Sequence, residues 1–136
     1  MQMRIGHGFD IHRVVAGRAL VLGGVSIPWD RGLEGHSDAD ALLHAVTDAV
    51  LGALALGDIG QWFPNTDPHY RGISSMVLLQ TVLTDPRVAN WRLVNLDATV
   101  LAERPRLAPH MVAIRQTIAD AFGVSVAAVS VKATTC

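Results

Sequence analysis

Asp10, His12, His36, Ser37 and His44 place one carboxylate, three imidazoles and a hydroxyl in the first third of a 136-residue chain. Residues two apart on a strand share a face, so Asp10 and His12 can converge on one ion. His44, on a helix that follows, is the candidate third ligand. Two imidazoles and one carboxylate with an open fourth position form the donor set of a catalytic zinc site. Manganese or iron accepts the same donors, so spacing does not choose the metal. The residues also have a plainer reading, because Asp-x-His is a common tripeptide and a helical histidine often only packs. Asp48, one turn past His44, is expected to accept from the far imidazole nitrogen and fix its tautomer. His36 precedes the helix start, where free N–H groups can bind an anion; there it would orient or neutralise a phosphate. Its plainer alternative is a surface loop histidine. His7 points away from Asp10 and reads as structural, and His69 and His110 have no visible partner. Lys132, Thr134 and Thr135 at a strand end can hold phosphate oxygens.

These side chains need elements to hold them. Arg4 to His12 alternates as a strand, with Gly6 and Gly8 leaving room beside the two ligands. Ala19 to Ile27 is a second β-rich run, broken by Gly23-Gly24 in a bulge or bend. Pro28 to Gly35 reads as a loop. Ser37 reads as an N-cap, with Asp40 at the third helical position in a capping-box-like arrangement. From Asp38 to Leu56, residues Ala41, Leu42, Ala45, Val46, Ala49 and Ala53 make a helical apolar stripe. Gly57 to Gly60 ends that helix, and a loop runs through Phe63 to Pro68. Ser74 or Ser75 caps a second helix that stops before Asp85-Pro86. Leu93 to Leu101 reads as a strand, Pro109 to Phe122 as a third helix closed by Gly123, and Ala128 to Ala133 as a last strand. The order is mixed α and β, a single domain over 1–136 with one core, no linker and no repeat.

Half the residues are hydrophobic and only 17% are charged, against about 25% in typical soluble domains. So charge-poor a surface favours a subunit that buries one or more faces against partners. The net charge is −1 without a Lys/Arg run, which argues against nucleic acid as a partner. The single cysteine, Cys136, suits a reducing compartment. Met1 to Ile5 runs straight into a strand, and no apolar run reaches membrane-spanning length. The expectation is a soluble, cytoplasmic chain with no membrane partner.

Five segments together resemble the 2-C-methyl-D-erythritol 2,4-cyclodiphosphate synthases of isoprenoid biosynthesis. They are Arg-Ile-Gly-His-Gly-Phe-Asp-Ile-His (4–12), Gly-His-Ser-Asp-Ala-Asp (35–40) with His44, Leu-Gly-Asp-Ile-Gly (56–60), Phe-Pro-Asn-Thr-Asp-Pro (63–68) and Val-Lys-Ala-Thr-Thr (131–135). The resemblance runs from end to end in order. It implies an α+β fold, a ferredoxin-like α/β sandwich with a mixed sheet packed on helices, assembled as a homotrimer with active sites between subunits. It implies a phosphorus–oxygen lyase that converts 4-diphosphocytidyl-2-C-methyl-D-erythritol 2-phosphate to the 2,4-cyclodiphosphate and releases CMP. Zn²⁺ would sit on Asp10, His12 and His44, one per site, and Mg²⁺ or Mn²⁺ would bridge the substrate phosphates. His36 and Thr135 match positions of transition-state stabilisation.

Substrate contacts carry over by motif. Asp10, His12, His36, Ser37 and His44 lie at the phosphates. Asp58, Ile59 and Gly60, with Phe63, Pro64, Asn65, Thr66 and Asp67, match the part that holds methylerythritol and ribose. Ala102, Glu103, Arg104, Pro105, Arg106, Leu107 and Ala108 match the loop around cytosine, and Thr134 and Thr135 lie near the diphosphate. The compartment implied is a bacterial cytoplasm, or a plastid for a processed chain. Arg106 stands where lysine is common, and Asn65 where Asp is frequent. Family members continue past the second threonine with a loop bearing a glutamate for the second metal, then a closing strand, whereas this sequence ends at Cys136. An unpaired sheet edge is therefore expected of the chain as written. With an omitted tail the full enzyme should work; a true truncation would fold and turn over poorly. That truncation motivates an alternative, a non-catalytic trimeric binder of cytidine or isoprenoid phosphates. A zinc phosphohydrolase is a third reading.

Overall fold

The structure, a computed structural model, describes residues 2–135. Met1 and Cys136 lie outside the described residues, and so do the expectations that fall on them.

Among the described residues, six short strands and four α-helices follow one another in mixed order. They are β1 (Val14–Ala16), β2 (Leu20–Leu22), β3 (Val25–Ile27), β4 (Arg31–Leu33), α1 (Ala41–Ala53), α2 (Ile59–Trp62), α3 (Ser75–Thr84), β5 (Leu96–Leu101), α4 (Met111–Phe122) and β6 (Val129–Thr134). The ladders are β1–β4 and β2–β3, both antiparallel, and β5–β6, parallel. A parallel pair needs a crossover connection, and α4 supplies it between β5 and β6. Among the described residues these remain three two-stranded pairs, so no single mixed sheet is continuous within the chain.

The break at Gly23-Gly24 is a full reversal rather than a bulge or bend. Both glycines adopt positive φ (59° and 76°), the requirement of a tight two-residue hairpin turn joining β2 to β3. The expected loop over 28–35 contains β4. Arg-Gly-Leu carries no alternating pattern, and its order comes from the ladder to β1, with Val14 opposite Leu33.

The expected strand over Arg4–His12 makes no ladder among the described residues, because no neighbouring strand lies beside it. The alternation of faces survives. Ile5, Phe9 and Ile11 are exposed, whereas Gly8, Asp10 and His12 are half-buried. The glycine face does not leave room; it lies directly on α1. A Cβ at Gly6 would stand 1.8 Å from the Ala49 carbonyl oxygen, and one at Gly8 1.7 Å from that of Ala45. The small residues Ala45, Ala49 and Ala53 on that side of α1 complete a close contact of backbone on helix. The opposite side buries Leu42, Leu43, Val46 and Leu51.

Helix α1 is capped by Asp40, not Ser37: the Asp40 carboxylate accepts from Leu43 N at 2.9 Å. It also accepts from Gly23 N (2.9 Å) and Gly24 N (2.7 Å), so one fully buried side chain joins the hairpin turn to the helix start. Helix α1 stops at Ala53, three residues early, and Asp58 caps α2 instead of merely ending a helix. Ser74 caps α3, and Gly123, with φ 64°, closes α4, as expected. Strand β5 begins at Leu96 rather than Leu93.

Among the described residues, two buried clusters form the interior rather than one. The larger packs Leu20, Leu22 and Ile27 of the hairpin against α1, Leu79, Ile114 and Ile118 of the later helices, and Val129 and Val131 of β6. The smaller gathers Leu51, Phe63, Leu78, Val82 and Val88, and Leu83 touches both. Among the described residues, no helix is long and apolar enough to cross a membrane.

Candidate metal centre and active site

The contact of the Gly6–Gly8 backbone on α1 brings the next two side chains of that face, Asp10 and His12, onto His44. Asp10 Oδ2 lies 2.7 Å from His12 Nε2 and 3.1 Å from His44 Nδ1, and the two nitrogens are 3.3 Å apart. A tetrahedral ion with bonds of about 2.0–2.1 Å separates its donors by about 3.3 Å. Two edges of this triangle are close to that spacing. The third, at 2.7 Å, is the length of a hydrogen bond in which His12 and Asp10 share a proton. The donor set, one carboxylate oxygen and two imidazole nitrogens, fits a zinc-type ion with further positions open toward the cleft.

The far nitrogens of both rings are engaged. His12 Nδ1 is 2.7 Å from the Glu34 carbonyl, which can only accept, so Nδ1 carries a proton of its own and Nε2 faces the triangle. His44 Nε2 lies 2.8 Å from Ser75 Oγ and 3.2 Å from Ser37 Oγ. Asp48 does not hold His44. Its carboxylate accepts from Ile59 N at 2.8 Å, so the residue one turn on serves the start of α2 instead. Burial pushes the Asp48 carboxyl above its ordinary value. Burial also pushes Asp10 up, but hydrogen bonds and charge from His12 and His44 outweigh it and hold this carboxyl well below the usual range. The bond to Asp10 raises His12 above its ordinary value.

A cavity of about 190 Å³ opens on the triangle, lined also by His36, Ser37, Ile59, Gly60, Phe63 and Asn65. A neighbouring cavity of about 630 Å³ shares Gly35, His36 and Ser37 and adds Arg18, Thr66 and Arg71. Arg18 donates to the carbonyls of Gly35 (3.0 Å) and Ser37 (2.8 Å) and so clamps the loop between the two spaces. His36 Nε2 is 2.9 Å from the Asp67 carbonyl and therefore donates to it. Part of the helix start beside His36 is already capped by the chain itself. Ala39 N, Asp40 N and Leu43 N are taken by Ser37, Asp38 and Asp40.

The structure thus gathers Asp10, His12, His36, Ser37, His44, Ile59, Gly60, Phe63, Asn65 and Thr66 around two joined spaces. Asp58 is committed to capping α2, and Asp67 to capping a 3-10 turn over Pro68–Tyr70. Pro64, Ala102 to Ala108, Thr134 and Thr135 line neither space. Lys132 pairs with Asp97 across β5 and β6. Sequence reasoning missed Tyr70 and Leu78 in the lining, and missed Asp38 and Ser75 behind His44. A signal for Ser75 existed. Ser75, Leu78, Leu79 and Val82 are the buried stripe of α3, and a hydroxyl on such a stripe needs a polar partner.

The model of the YgbB family matches residues 3–136. The 2-C-methyl-D-erythritol 2,4-cyclodiphosphate synthase of Trichlorobacter lovleyi is 57% identical over 133 residues, covering 98% of this chain and 85% of the relative. The protein of the same name from Moorella thermoacetica is 59% identical over 133 residues, covering 98% and 82%. A solved 2C-methyl-D-erythritol-2,4-cyclodiphosphate synthase in its CDP-bound form superposes with a TM-score of 0.90 at 38% identity, covering 97% of this chain and 88% of that one. With agreement in sequence and in fold across nearly its whole length, the chain belongs to the YgbB family.

Proposed function

We propose that this chain is a 2-C-methyl-D-erythritol 2,4-cyclodiphosphate synthase, a lyase of non-mevalonate isoprenoid biosynthesis. The observation that carries the mechanism is the convergence of Asp10, His12 and His44 at the mouth of a cleft. The relatives' shared name supports the activity and gives no support to a non-catalytic binder.

In the reaction, an oxygen of the substrate's 2-phosphate bonds to the β-phosphorus. The bond from that phosphorus to the bridging oxygen breaks, and its electron pair leaves with CMP. The chemistry needs charge neutralisation and in-line positioning more than covalent help. Asp10, His12 and His44 would hold a zinc ion, which would supply Lewis-acid polarisation of a phosphate oxygen, and a second divalent ion, Mg²⁺ or Mn²⁺, would supply charge neutralisation at the diphosphate. The chain's own residues position the substrate. Arg18 and Arg71 bring positive charge to the larger space, whose volume suits a nucleotide diphosphate better than the smaller one. Since His36 spends Nε2–H on Asp67, it donates to a phosphate oxygen from Nδ1 only as the imidazolium. Asp58, Ile59, Gly60 and the Phe63–Asp67 loop are assigned to methylerythritol and ribose.

Ala102 to Ala108, Thr134 and Thr135 are assigned to cytosine and diphosphate in a site completed by a second copy. The charge-poor composition, 50% hydrophobic against 17% charged residues, supports that arrangement. So do the exposed apolar residues Met3, Ile5, Phe9 and Ile11 of the opening segment. We assign the chain as one domain with a ferredoxin-like sandwich fold, assembled as a homotrimer. The test is incubation with substrate, zinc and magnesium, followed by ³¹P NMR. CMP and a cyclic diphosphate should appear, and His44→Ala should abolish both. Turnover by metal-free His12→Ala would overturn the mechanism, and CDP binding without CMP release would favour a binder. A linear product carrying solvent oxygen would identify a phosphohydrolase.

A further inference from the structure

Behind His44 lies a polar pair that the assigned chemistry does not use. Ser75 is 1% exposed, on the buried stripe of α3. Its Oγ donates to Asp38 Oδ1, and its backbone N donates to Asp38 Oδ2 at 3.1 Å. Asp38 Oδ1 also accepts from Asp40 N at 3.1 Å, so both oxygens of Asp38 act as acceptors. The single hydroxyl proton of Ser75 is thereby committed to Asp38. What Ser75 turns toward His44 is a lone pair. At 2.8 Å from that lone pair, His44 Nε2 must carry a proton. Ser37 Oγ, at 3.2 Å, is a second and longer acceptor for the same N–H. With Nε2–H held there, the ring is fixed in rotation, and Nδ1 is turned toward Asp10 Oδ2 (3.1 Å) and His12 Nε2 (3.3 Å).

We propose, resting on the metal assignment above, that Asp38 and Ser75 are positioning residues for His44. Their one-way hydrogen-bond relay, Asp38 accepting from Ser75 and Ser75 from His44, sets the affinity of the three-residue cation site. The relay ties two segments distant in sequence, because Asp38 precedes α1 and Ser75 opens α3. The packing of α3 on α1 thus reaches the cation through one imidazole. Removing an outer hydrogen-bond partner of a ligating histidine typically weakens metal binding by about 10- to 100-fold.

The test compares wild type with Ser75→Ala, Asp38→Asn and, as a control, Ser74→Ala. Ser74 caps the same helix through Met76 N but does not touch His44. Zinc affinity is measured by chelator competition, folding by circular dichroism and Tm. The His44 Nε2–H resonance is followed by ¹⁵N-edited NMR on metal-free protein. We expect Ser75→Ala and Asp38→Asn to lose about 10- to 100-fold in zinc affinity. The protected Nε2–H signal should disappear from Ser75→Ala. Ser74→Ala should lower Tm while keeping both the signal and the affinity. Zinc binding by Ser75→Ala within about twofold of wild type would overturn the proposal, as would an equal loss in Ser74→Ala. An Nε2–H signal unchanged in Ser75→Ala would contradict the relay without reference to metal. Failure of wild type to bind zinc would refute the metal assignment itself, and the relay's effect on affinity with it.

Discussion

Gly8→Ala should dismantle the site from a position that offers no ligand. A Cβ at Gly8 would stand 1.7 Å from the Ala45 carbonyl oxygen, 2.7 Å from its carbon and 2.9 Å from Ala49 N, all backbone atoms of α1. No rotamer change relieves contacts with backbone. The segment must retreat by about 1.7 Å, the gap between that distance and the 3.4 Å where ordinary contact begins. Asp10 is two residues on and shares the face, so it moves with the segment. Metal–donor distances tolerate only about 0.2 Å. The retreat therefore removes Asp10, and with it the hydrogen bonds of 2.7 and 3.1 Å that close the triangle. Zinc affinity should fall by at least about 100-fold, the upper end for weaker, outer defects. Strain of this kind costs about 1–3 kcal/mol, which lowers Tm by roughly 3–10 °C in a chain of this size. Chelator competition and thermal unfolding read the two effects separately. Unchanged zinc affinity in folded Gly8→Ala protein would refute the view that backbone contact on α1 sets the ligand geometry.

Gly52→Ala should do the opposite, since Gly52 is exposed near the end of α1 and a Cβ there meets only His7 O at 3.9 Å. A gain of about 0.5–1 kcal/mol is expected in thermal unfolding. Burial raises Asp40 from 3.8 to about 6. Between those values the folded chain binds more protons than the unfolded one, so this group's contribution to stability falls as pH rises from about 4 to about 6. Urea unfolding of metal-free protein should show that slope flattened in Asp40→Asn. Asp10, held low, acts in the opposite sense: its contribution is present above 3.8 and lost as pH falls below it. His12 is raised above 6.5, so protons compete with the cation from above that pH downward. Apparent zinc affinity should decline by up to about tenfold per pH unit there, and a flat profile from pH 8 to pH 6 would count against His12 as a ligand.

Much of the candidate site was legible because Asp10, His12 and His44 sit in local patterns. The two-residue repeat in Gly6-His7-Gly8-Phe9-Asp10-Ile11-His12 gave the face correctly, although the segment has no ladder of its own. Ser74 and Gly123 announced their helix ends because caps act over three or four residues. What escaped was decided by tertiary contact. Ser37 looked like the cap until the hairpin turn claimed Asp40, whose carboxylate satisfies N–H groups from both elements. Asp48 had the right spacing for His44, but the start of α2 took it, and Ser75, thirty-one positions away, took its place. Strand β4 was invisible because three residues of Arg-Gly-Leu become a strand only beside β1.

Anomalous diffraction at the zinc edge, from crystals grown with zinc, tests the central assignment most directly. One peak should lie about 2.0–2.2 Å from Asp10 Oδ2, His12 Nε2 and His44 Nδ1 together, with His44 Nε2 still turned to Ser75. A peak bound through His44 Nε2, or zinc found only elsewhere on the chain, would contradict it.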